Sequence, residues 1–277
     1  MSEKPDRKPH NDNHRPTASA GERTRIVDDL VMGVRFFSRL PTGDRPHERP
    51  DLSRIAMALP FASFLIGLLP ALLLLVLSLA GMPRLFAAGL SVGAMAVITG
   101  AMSEDAIADA ADGLFGGATA ERRLDIMKDS RHGTFGVIAL CLLLILRVVA
   151  LGSLTTLDPF AGAAIWLGTT LMARSGALWL TVALPPARAT GISASAGRVT
   201  RPAFGLGAIF ALILGLILTA PGAGLAAFLL AAVLMAAIMA GWTELCRRLV
   251  GGQTGDLIGA LQALLEIAGL GAFLLLG

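Results

Sequence analysis

Residues 55–80 read IAMALPFASFLIGLLPALLLLVLSLA and contain no charged side chain. About 20 consecutive apolar residues are enough for a helix to cross the roughly 30 Å of hydrocarbon in a bilayer. The rest of the chain shares this character, because 55% of its residues are hydrophobic and only 16% are charged, whereas about 25% are charged in soluble domains. We therefore predict a protein that crosses a membrane several times.

Further apolar segments of similar length follow this stretch, at roughly 85–102, 134–152, 160–184, 203–219, 223–242 and 257–276. Their lengths favour helices over strands. The predicted fold is thus an all-α, polytopic transmembrane bundle of about seven spans. Of these spans, 85–102 and 257–276 are the two most prone to be partial or broken.

The basic residues predict the orientation of the bundle, because Lys and Arg are retained on the cytoplasmic side of a membrane. With the N-terminus inside, every Lys and Arg except Arg84, Arg147 and Arg174 falls in a cytoplasmic segment. Those segments are 1–54, 103–133, 185–202 and 243–256. The net charge of +3 therefore reflects topology, and we predict a multi-pass protein of the cytoplasmic membrane with no nucleic-acid partner.

The N-terminal region differs from the rest in composition. Residues 1–22 have almost no large apolar side chain, which predicts a disordered polar tail. Residues 23–40 have apolar side chains at helical spacing, which predicts an amphipathic helix that lies in the membrane interface or packs on the bundle. Residues 23–277 are predicted to form a single integral-membrane catalytic domain.

An acidic cluster stands at the end of the second predicted span. On a helix, Asp105, Asp109 and Asp112 fall at positions i, i+4 and i+7 and share one face. With Glu104 they form an all-oxygen set without His or Cys, which suits Mg²⁺ or Mn²⁺. The alternative is a solvated acidic helix start, which the helix dipole favours. The intervening Ala and Ile residues favour the metal hypothesis.

Glycines and cations follow the acidic cluster. Gly113 and Gly116 would let the backbone approach a ligand closely, and cations beside a divalent metal bind phosphate. The cations in this segment are Arg122, Arg123, Lys128 and Arg131. Carboxylates, glycines and cations together indicate a site for phosphoryl chemistry, where positioning and charge neutralisation do most of the catalysis.

Charged residues inside predicted spans are costly and usually face a cavity or a partner. Arg174 lies toward the cytoplasmic half of the fourth span and could reach the acidic cluster. Arg147 lies nearer the far side, where pairing within the bundle is the better hypothesis, and Glu266 is a candidate to neutralise a buried Arg. At the start of the last span, Thr254 could cap the helix, and Asp256 could complete the metal or substrate site.

At this point four motifs resemble one family. The runs EDAIADAADGLFGG (104–117) and RRLDIMKDSRHGTFG (122–136) are similar to the two long central motifs of the cobalamin synthase family, the adenosylcobinamide-GDP ribazoletransferases. RFFSRLPTG (35–43), GGQTGDLIGALQALLE (251–266) and Arg174 extend the resemblance from about Val31 onward. Ser38 and His132 depart from the usual pattern, and the second departure weakens a catalytic role for His132.

The resemblance implies a membrane-bound, Mg²⁺-dependent transferase of the bacterial cytoplasmic membrane. Such an enzyme joins adenosylcobinamide-GDP to α-ribazole, or to its 5′-phosphate, and releases GMP. The ribazole hydroxyl would attack the phosphorus on the cobinamide side of the diphosphate. The resemblance leaves open whether the acceptor is phosphorylated and whether the chain forms an oligomer.

Site residues follow from the resemblance by matching positions. It implies that the metal is held by Glu104, Asp105, Asp109 and Asp112. Asp109 and Asp112 are also implied to be catalytic. The substrate-binding residues that it implies are Gly113, Gly116, Arg123, Lys128, Asp129, Ser130, Arg131, Thr134, Arg174, Thr254 and Asp256.

Two other hypotheses deserve comparison. A CDP-alcohol phosphotransferase also uses acidic residues on membrane helices, but its usual D-G-x-x-A-R and G-x-x-x-D-x-x-x-D pattern is absent here. A cation transporter could use the acidic cluster as its ion site, but such sites usually lie near the midplane on broken helices or repeats. The predicted cluster lies at the cytoplasmic boundary instead.

Overall fold

The computed structural model describes residues 18–43, 51–129, 131–188 and 197–276, except for the side chains of 18–26 and 157. Within these ranges the chain is helical, and an isolated bridge joins Pro186 to Gln253. The helices are α1 Ala18–Phe37, α2 Leu52–Leu79, α3 Arg84–Thr99, α4 Met102–Gly116, α5 Ala120–Ile126, α6 Thr134–Leu157, α7 Pro159–Ala177, α8 Trp179–Ala183, α9 Arg201–Val250 and α10 Gly255–Leu276.

The predicted all-α membrane architecture is confirmed at this level. Four helices are long and apolar enough to cross a membrane, namely α2, residues 134–156 of α6, α9 and α10. A fifth span is added if α3 and α4 together form one broken crossing. Large apolar side chains face outward along these helices, among them Leu69, Val97, Val233 and Leu275. In a bilayer such side chains contact lipid.

Helix α9 is two antiparallel helices joined at Gly224. At 50 residues a straight helix would be about 75 Å long, far more than a bilayer needs. Gly224 has φ 83° and ψ 164°, outside the helical range. Gly168 of α7 packs against Thr219 before the break, whereas Gly176 packs against Met239 after it. The first half of α9 therefore runs antiparallel to α7 and the second half runs parallel to it.

A sharp break separates α3 from α4. Gly100 and Ala101 both have left-handed backbone angles, with φ of 68° and 56°, and the two helices are bent by 87°. A left-handed conformation costs a residue with a Cβ about 1–2 kcal/mol, so Ala101 is strained. The backbone N–H of Arg39 donates to the Ile98 carbonyl just before the break, at 2.7 Å. The expectation that the 85–102 segment is a partial or broken helix is confirmed.

The helix ends define two faces of the bundle. Ser53 at the start of α2 bonds to the Thr200 N–H at the start of α9, and Trp242 near the end of α9 bonds to the Leu257 carbonyl of α10. We call the face of the bundle where α2, α9 and α10 begin the site face. At the opposite, far face, the connections are residues 80–83, Asp158 and Gly224. Helix α7 lies buried at the centre, packed on α2, α9 and α10.

The N-terminal helix begins earlier than the sequence pattern suggested. Helix α1 spans Ala18–Phe37, rather than 23–40, and packs on α2. Arg54 of α2 forms an ion pair with Asp29 of α1 at 2.6 Å. The hypothesis that this helix packs on the bundle is thus the one observed, and the predicted tail lies outside the described residues up to position 17.

Candidate active site

A cavity of about 260 Å³ opens at the site face between the ends of α1 and α7 and the starts of α2, α4 and α10. Its charged lining residues are Asp105 of α4 and Asp256 of α10, and we call it the acidic cavity. The two carboxylates come from motifs about 150 residues apart in the chain. The structure therefore brings together the acidic segment and the last loop, as the sequence predicted.

Asp109 lies one turn beyond Asp105 on α4. Its half-buried carboxylate experiences repulsion from Asp105, Asp256 and Asp112. His132 stands opposite, with its Nδ1 3.8 Å from the Asp109 carboxylate. Crowded negative charge favours binding of a cation or a positively charged group.

Asp112 is fixed at the start of α6. Its two carboxylate oxygens accept hydrogen bonds from the backbone N–H groups of Gly133 and Gly136, at 2.6 and 2.8 Å. A Cβ on either glycine would collide with this carboxylate. The negative charge also suits the positive end of the helix dipole. Asp112, predicted to be a metal ligand and a catalytic residue, thus joins α4 to α6. The sequence signal for this role is the pair of glycines, Gly133 and Gly136, in the run HGTFG.

Glu104 belongs to a buried ion cluster. Its carboxylate accepts a hydrogen bond from Arg147 of α6, which also donates to Glu266 of α10 at 2.6 Å. Trp166 of α7 donates its indole N–H to Glu266 at 3.0 Å. The four residues are each at most 6% exposed. The pairing of Arg147 within the bundle and the neutralisation by Glu266 are as predicted, while Glu104 faces this cluster and not the acidic cavity.

Arg174 of α7 lies near both the ion cluster and a residue that lines the cavity. It is 2% exposed, and its Nη1 has no hydrogen-bond partner. Its guanidinium lies 5.9 Å from the ring centroid of Phe37, within the range of a cation–π contact, and Phe37 lines the acidic cavity. The charges of Glu266 and Glu104 act on Arg174. The ring of Phe37 therefore stands between the cavity and Arg174, the predicted phosphate-binding residue.

The glycine and arginine at the α4–α5 junction hold helices together. Gly113 lies so close to Met127 that a Cβ there would overlap its side chain, whereas Gly116 has more room. Arg123 donates to the carbonyls of Leu114 and Leu249 at 3.3 and 3.1 Å. These carbonyls belong to the last turns of α4 and α9, where intrahelical partners are missing. Arg123 thus joins the last turn of α4 to the last turn of α9.

The segment between α5 and α6 is more open. Lys128, Arg131 and Thr134 are exposed, and Ser130 lies outside the described residues. Arg131 donates to both oxygens of Asp129, at 3.0 and 2.7 Å, and this pairing lowers the pKa of Asp129 to about 2. The predicted substrate-binding residues of this segment therefore stand at the solvent side of the site.

The loop before α10 completes the site from the other side. Thr254 accepts a hydrogen bond from the Leu257 N–H at 3.2 Å, which caps α10, as the sequence predicted. It also donates to Asp256 at 3.3 Å. Arg188 lies near enough for its charge to act on Asp256. Arg188 was not among the predicted site residues, because its only signal in the sequence is its place in a predicted cytoplasmic segment.

Comparison with known proteins decides the family. Residues 29–274 match the family described as cobalamin-5-phosphate synthase. The chain belongs to this family. The adenosylcobinamide-GDP ribazoletransferase of Azorhizobium caulinodans is 41% identical, over 88% of this chain and 94% of the relative. The enzymes of the same name from Rhizobium meliloti and Brucella ovis are 41% and 38% identical, each over 90% of this chain and 97% of the relative.

No solved structure matches the chain. The family match spans α4, α6 and the start of α10, so it includes every element that builds the acidic cavity. Membership in the cobalamin-5-phosphate synthase family confirms the resemblance inferred from the motifs. It also decides between the three hypotheses, in favour of the ribazole-transferring enzyme over a CDP-alcohol phosphotransferase or a cation transporter.

Proposed function

We propose that this chain transfers the adenosylcobinamide phosphate of adenosylcobinamide-GDP to α-ribazole or its 5′-phosphate, which completes cobalamin or its 5′-phosphate and releases GMP. The observation that carries the proposal is the meeting of two family motifs, around Asp105 and Asp256, at one cavity. The names of relatives that align over nearly the whole chain support it.

In this reaction an oxygen–phosphorus bond forms from the ribazole hydroxyl, and the bond from that phosphorus to the oxygen of the departing GMP breaks. The hydroxyl proton needs an acceptor within hydrogen-bond reach. Asp109 is the best candidate, because its half-buried carboxylate stands among other negative charges. Asp112, with both oxygens engaged by α6, holds the acidic helix in place instead.

A Mg²⁺ ion fits the chemistry of the donors. Asp105, Asp109 and Asp256 offer only carboxylate oxygens, which this ion prefers, and their mutual repulsion would fall if a cation lay between them. Among the described residues no three acidic, His or Cys side chains already enclose a metal position. Mg²⁺ usually binds one or two carboxylates together with substrate phosphates, so we propose that it arrives with the diphosphate, whose charge it would neutralise.

We also propose seven membrane crossings: α2, the broken α3–α4 pair, α6, α7, the two halves of α9 and α10. The site face would then be cytoplasmic, in the bacterial inner membrane, with the N-terminus inside. The near absence of Lys and Arg from the far-face connections supports this orientation. We expect that Ala118→Cys is shielded from an impermeant thiol reagent in intact cells and Ala80→Cys is labelled, each in a background without Cys141 and Cys246. Labelling of Ala118→Cys but not of Ala80→Cys would indicate the opposite orientation.

The activity is tested with the purified full-length protein, adenosylcobinamide-GDP and α-ribazole. We expect GMP and the cobalamin product to form in equal amounts with Mg²⁺, and neither to form with a chelator. Replacing α-ribazole by its 5′-phosphate and comparing kcat/KM identifies the preferred acceptor. Folded, membrane-inserted protein that releases no GMP with either acceptor would refute the proposed function.

A further inference from the structure

The segment that carries Arg188 is joined firmly to the loop before α10. The Gln253 N–H donates to the Pro185 carbonyl, and the Ala187 N–H donates to the Gln253 carbonyl, each at 2.9 Å. Gly252 is packed so closely on Pro185 and Ala187 that a Cβ would lie 2.7–2.8 Å from their backbone atoms. The position of Arg188 is thereby tied to the start of α10, which carries Asp256.

The Arg188 side chain faces two parts of the site. One of its Nη groups donates to the Leu124 carbonyl of α5, near the end of a short helix where carbonyls lack helical partners. Its Nε is buried and has no hydrogen-bond partner. A guanidinium carries more N–H donors than one carbonyl can use, so donor capacity remains on the side chain.

Arg188 and Asp256 influence each other without touching. The guanidinium charge acts on Asp256, yet the described residues show no direct ion pair between the two side chains. An anion beside Arg188 could therefore lie next to a cation held by Asp256. A diphosphate with its metal ion has this distribution of charge, and arginine binds phosphate oxygens particularly well.

Three other arginines around the site already have partners, whereas Arg174 is 2% exposed and lies against the ring of Phe37. Arg123 donates hydrogen bonds to the carbonyls of Leu114 and Leu249, and Arg131 forms an ion pair with Asp129. Arg147 forms ion pairs with the buried carboxylates of Glu104 and Glu266. A diphosphate brought to a cavity lined by carboxylates needs a cation near those carboxylates, and Arg188 meets this requirement.

We infer that Arg188 is a further substrate-binding residue, whose guanidinium binds a non-bridging oxygen of the substrate diphosphate between α5 and the first turn of α10. The inference rests on the proposed function for the identity of the substrate. It assigns the segment 185–188 to the wall of the active site, beside the start of α10.

The first test measures diphosphate binding without turnover. Purified full-length protein is titrated with inorganic pyrophosphate and Mg²⁺ in a calorimeter. A charge-assisted hydrogen bond contributes enough that its loss should weaken binding about tenfold to a hundredfold. We expect this loss in Arg188→Gln and a smaller one in Arg188→Lys, which keeps the charge. Arg247→Gln, an exposed residue paired with Glu244, is the matched control and should bind as the wild type does.

The second test separates the two substrates. In Arg188→Gln we expect the KM for adenosylcobinamide-GDP to rise about tenfold or more and the KM for α-ribazole to stay unchanged. A purely structural defect would instead lower the amount of active enzyme and leave both KM values alone. If Arg188→Gln does not fold, the comparison is made with Arg188→Lys, where a severalfold weaker affinity for pyrophosphate is expected.

Pyrophosphate affinity within twofold of the wild type, in a folded Arg188 variant, would overturn the inference. This outcome is distinct from failure of the proposed function, which would appear as a wild-type protein that binds pyrophosphate but releases no GMP. A pyrophosphate affinity that falls equally in the Arg247 control would also overturn it, because the effect would then be one of overall charge.

Discussion

Replacement of Arg147 by Met should destabilise the bundle more than any exposed arginine replacement does. Arg147 is 3% exposed and bonds to both Glu104 and Glu266. Its removal would leave two buried carboxylates without their hydrogen-bonded cation, although the charge of Arg174 lies near enough to interact with them. Loss of one partner from a buried ion pair costs about 3–5 kcal/mol. We expect a loss of this size in the free energy of unfolding.

The control is Arg247→Met on α9. Arg247 is exposed, and its partner Glu244 is also bound by Arg248, so this change should have little effect on the free energy of unfolding. A double variant with Arg147→Met and Glu104→Gln should be more stable than Arg147→Met alone, because it removes one of the two stranded negative charges.

Unfolding in mixed detergent micelles, followed by circular dichroism, measures these differences. Two results would contradict the reasoning. One is equal destabilisation by Arg147→Met and Arg247→Met. The other is a double variant that is less stable than Arg147→Met alone, which would mean that Glu104 contributes through packing and not through its charge.

Three further predictions concern the site and the tail. Asp109→Asn should abolish GMP release while the protein still folds, whereas Asp158→Asn, which keeps a good helix cap at the far face, should leave it intact; equal activity would refute the role of Asp109. Gly136→Ala should lower kcat at least tenfold by displacing the Asp112 carboxylate, while Gly93→Ala, with open space around it, should have near-normal turnover. Deletion of residues 2–17 should preserve insertion and activity, since their sequence is polar and lies outside the family match; a large loss of turnover would show that the tail reaches the site.

The meeting of Asp105 and Asp256 could be predicted from the sequence because charge distribution restricts topology. Both residues fall in segments assigned to the same side of the membrane, and only a few short connections remain on the other. The pairing of Arg147 with Glu266 was predictable for a related reason. A charge inside a span needs a partner at the same depth, and few charged residues are available there.

The roles of Glu104 and Asp112 could not be predicted from the sequence. Helical spacing places Asp112 on the same face as Asp105, but spacing does not say which neighbouring helix that face meets. The start of α6 reaches Asp112 because Gly133 and Gly136 leave room for it. Glu104 is one residue away from Asp105 and yet faces the ion cluster. Such differences depend on tertiary packing, as does the left-handed Ala101 that breaks the span.

The unequal lengths of the connections at the two faces have a consequence for how the enzyme exchanges its reactants. At the far face a helix pair is joined by residues 80–83, and single residues, Asp158 and Gly224, turn the chain elsewhere. Every element that lines the acidic cavity ends or begins at the other face. In the proposed topology both substrates arrive from one compartment, and both products return to it. In sealed vesicles of uniform orientation the reaction would then run only when adenosylcobinamide-GDP and the ribazole acceptor are both supplied on the side of the site face.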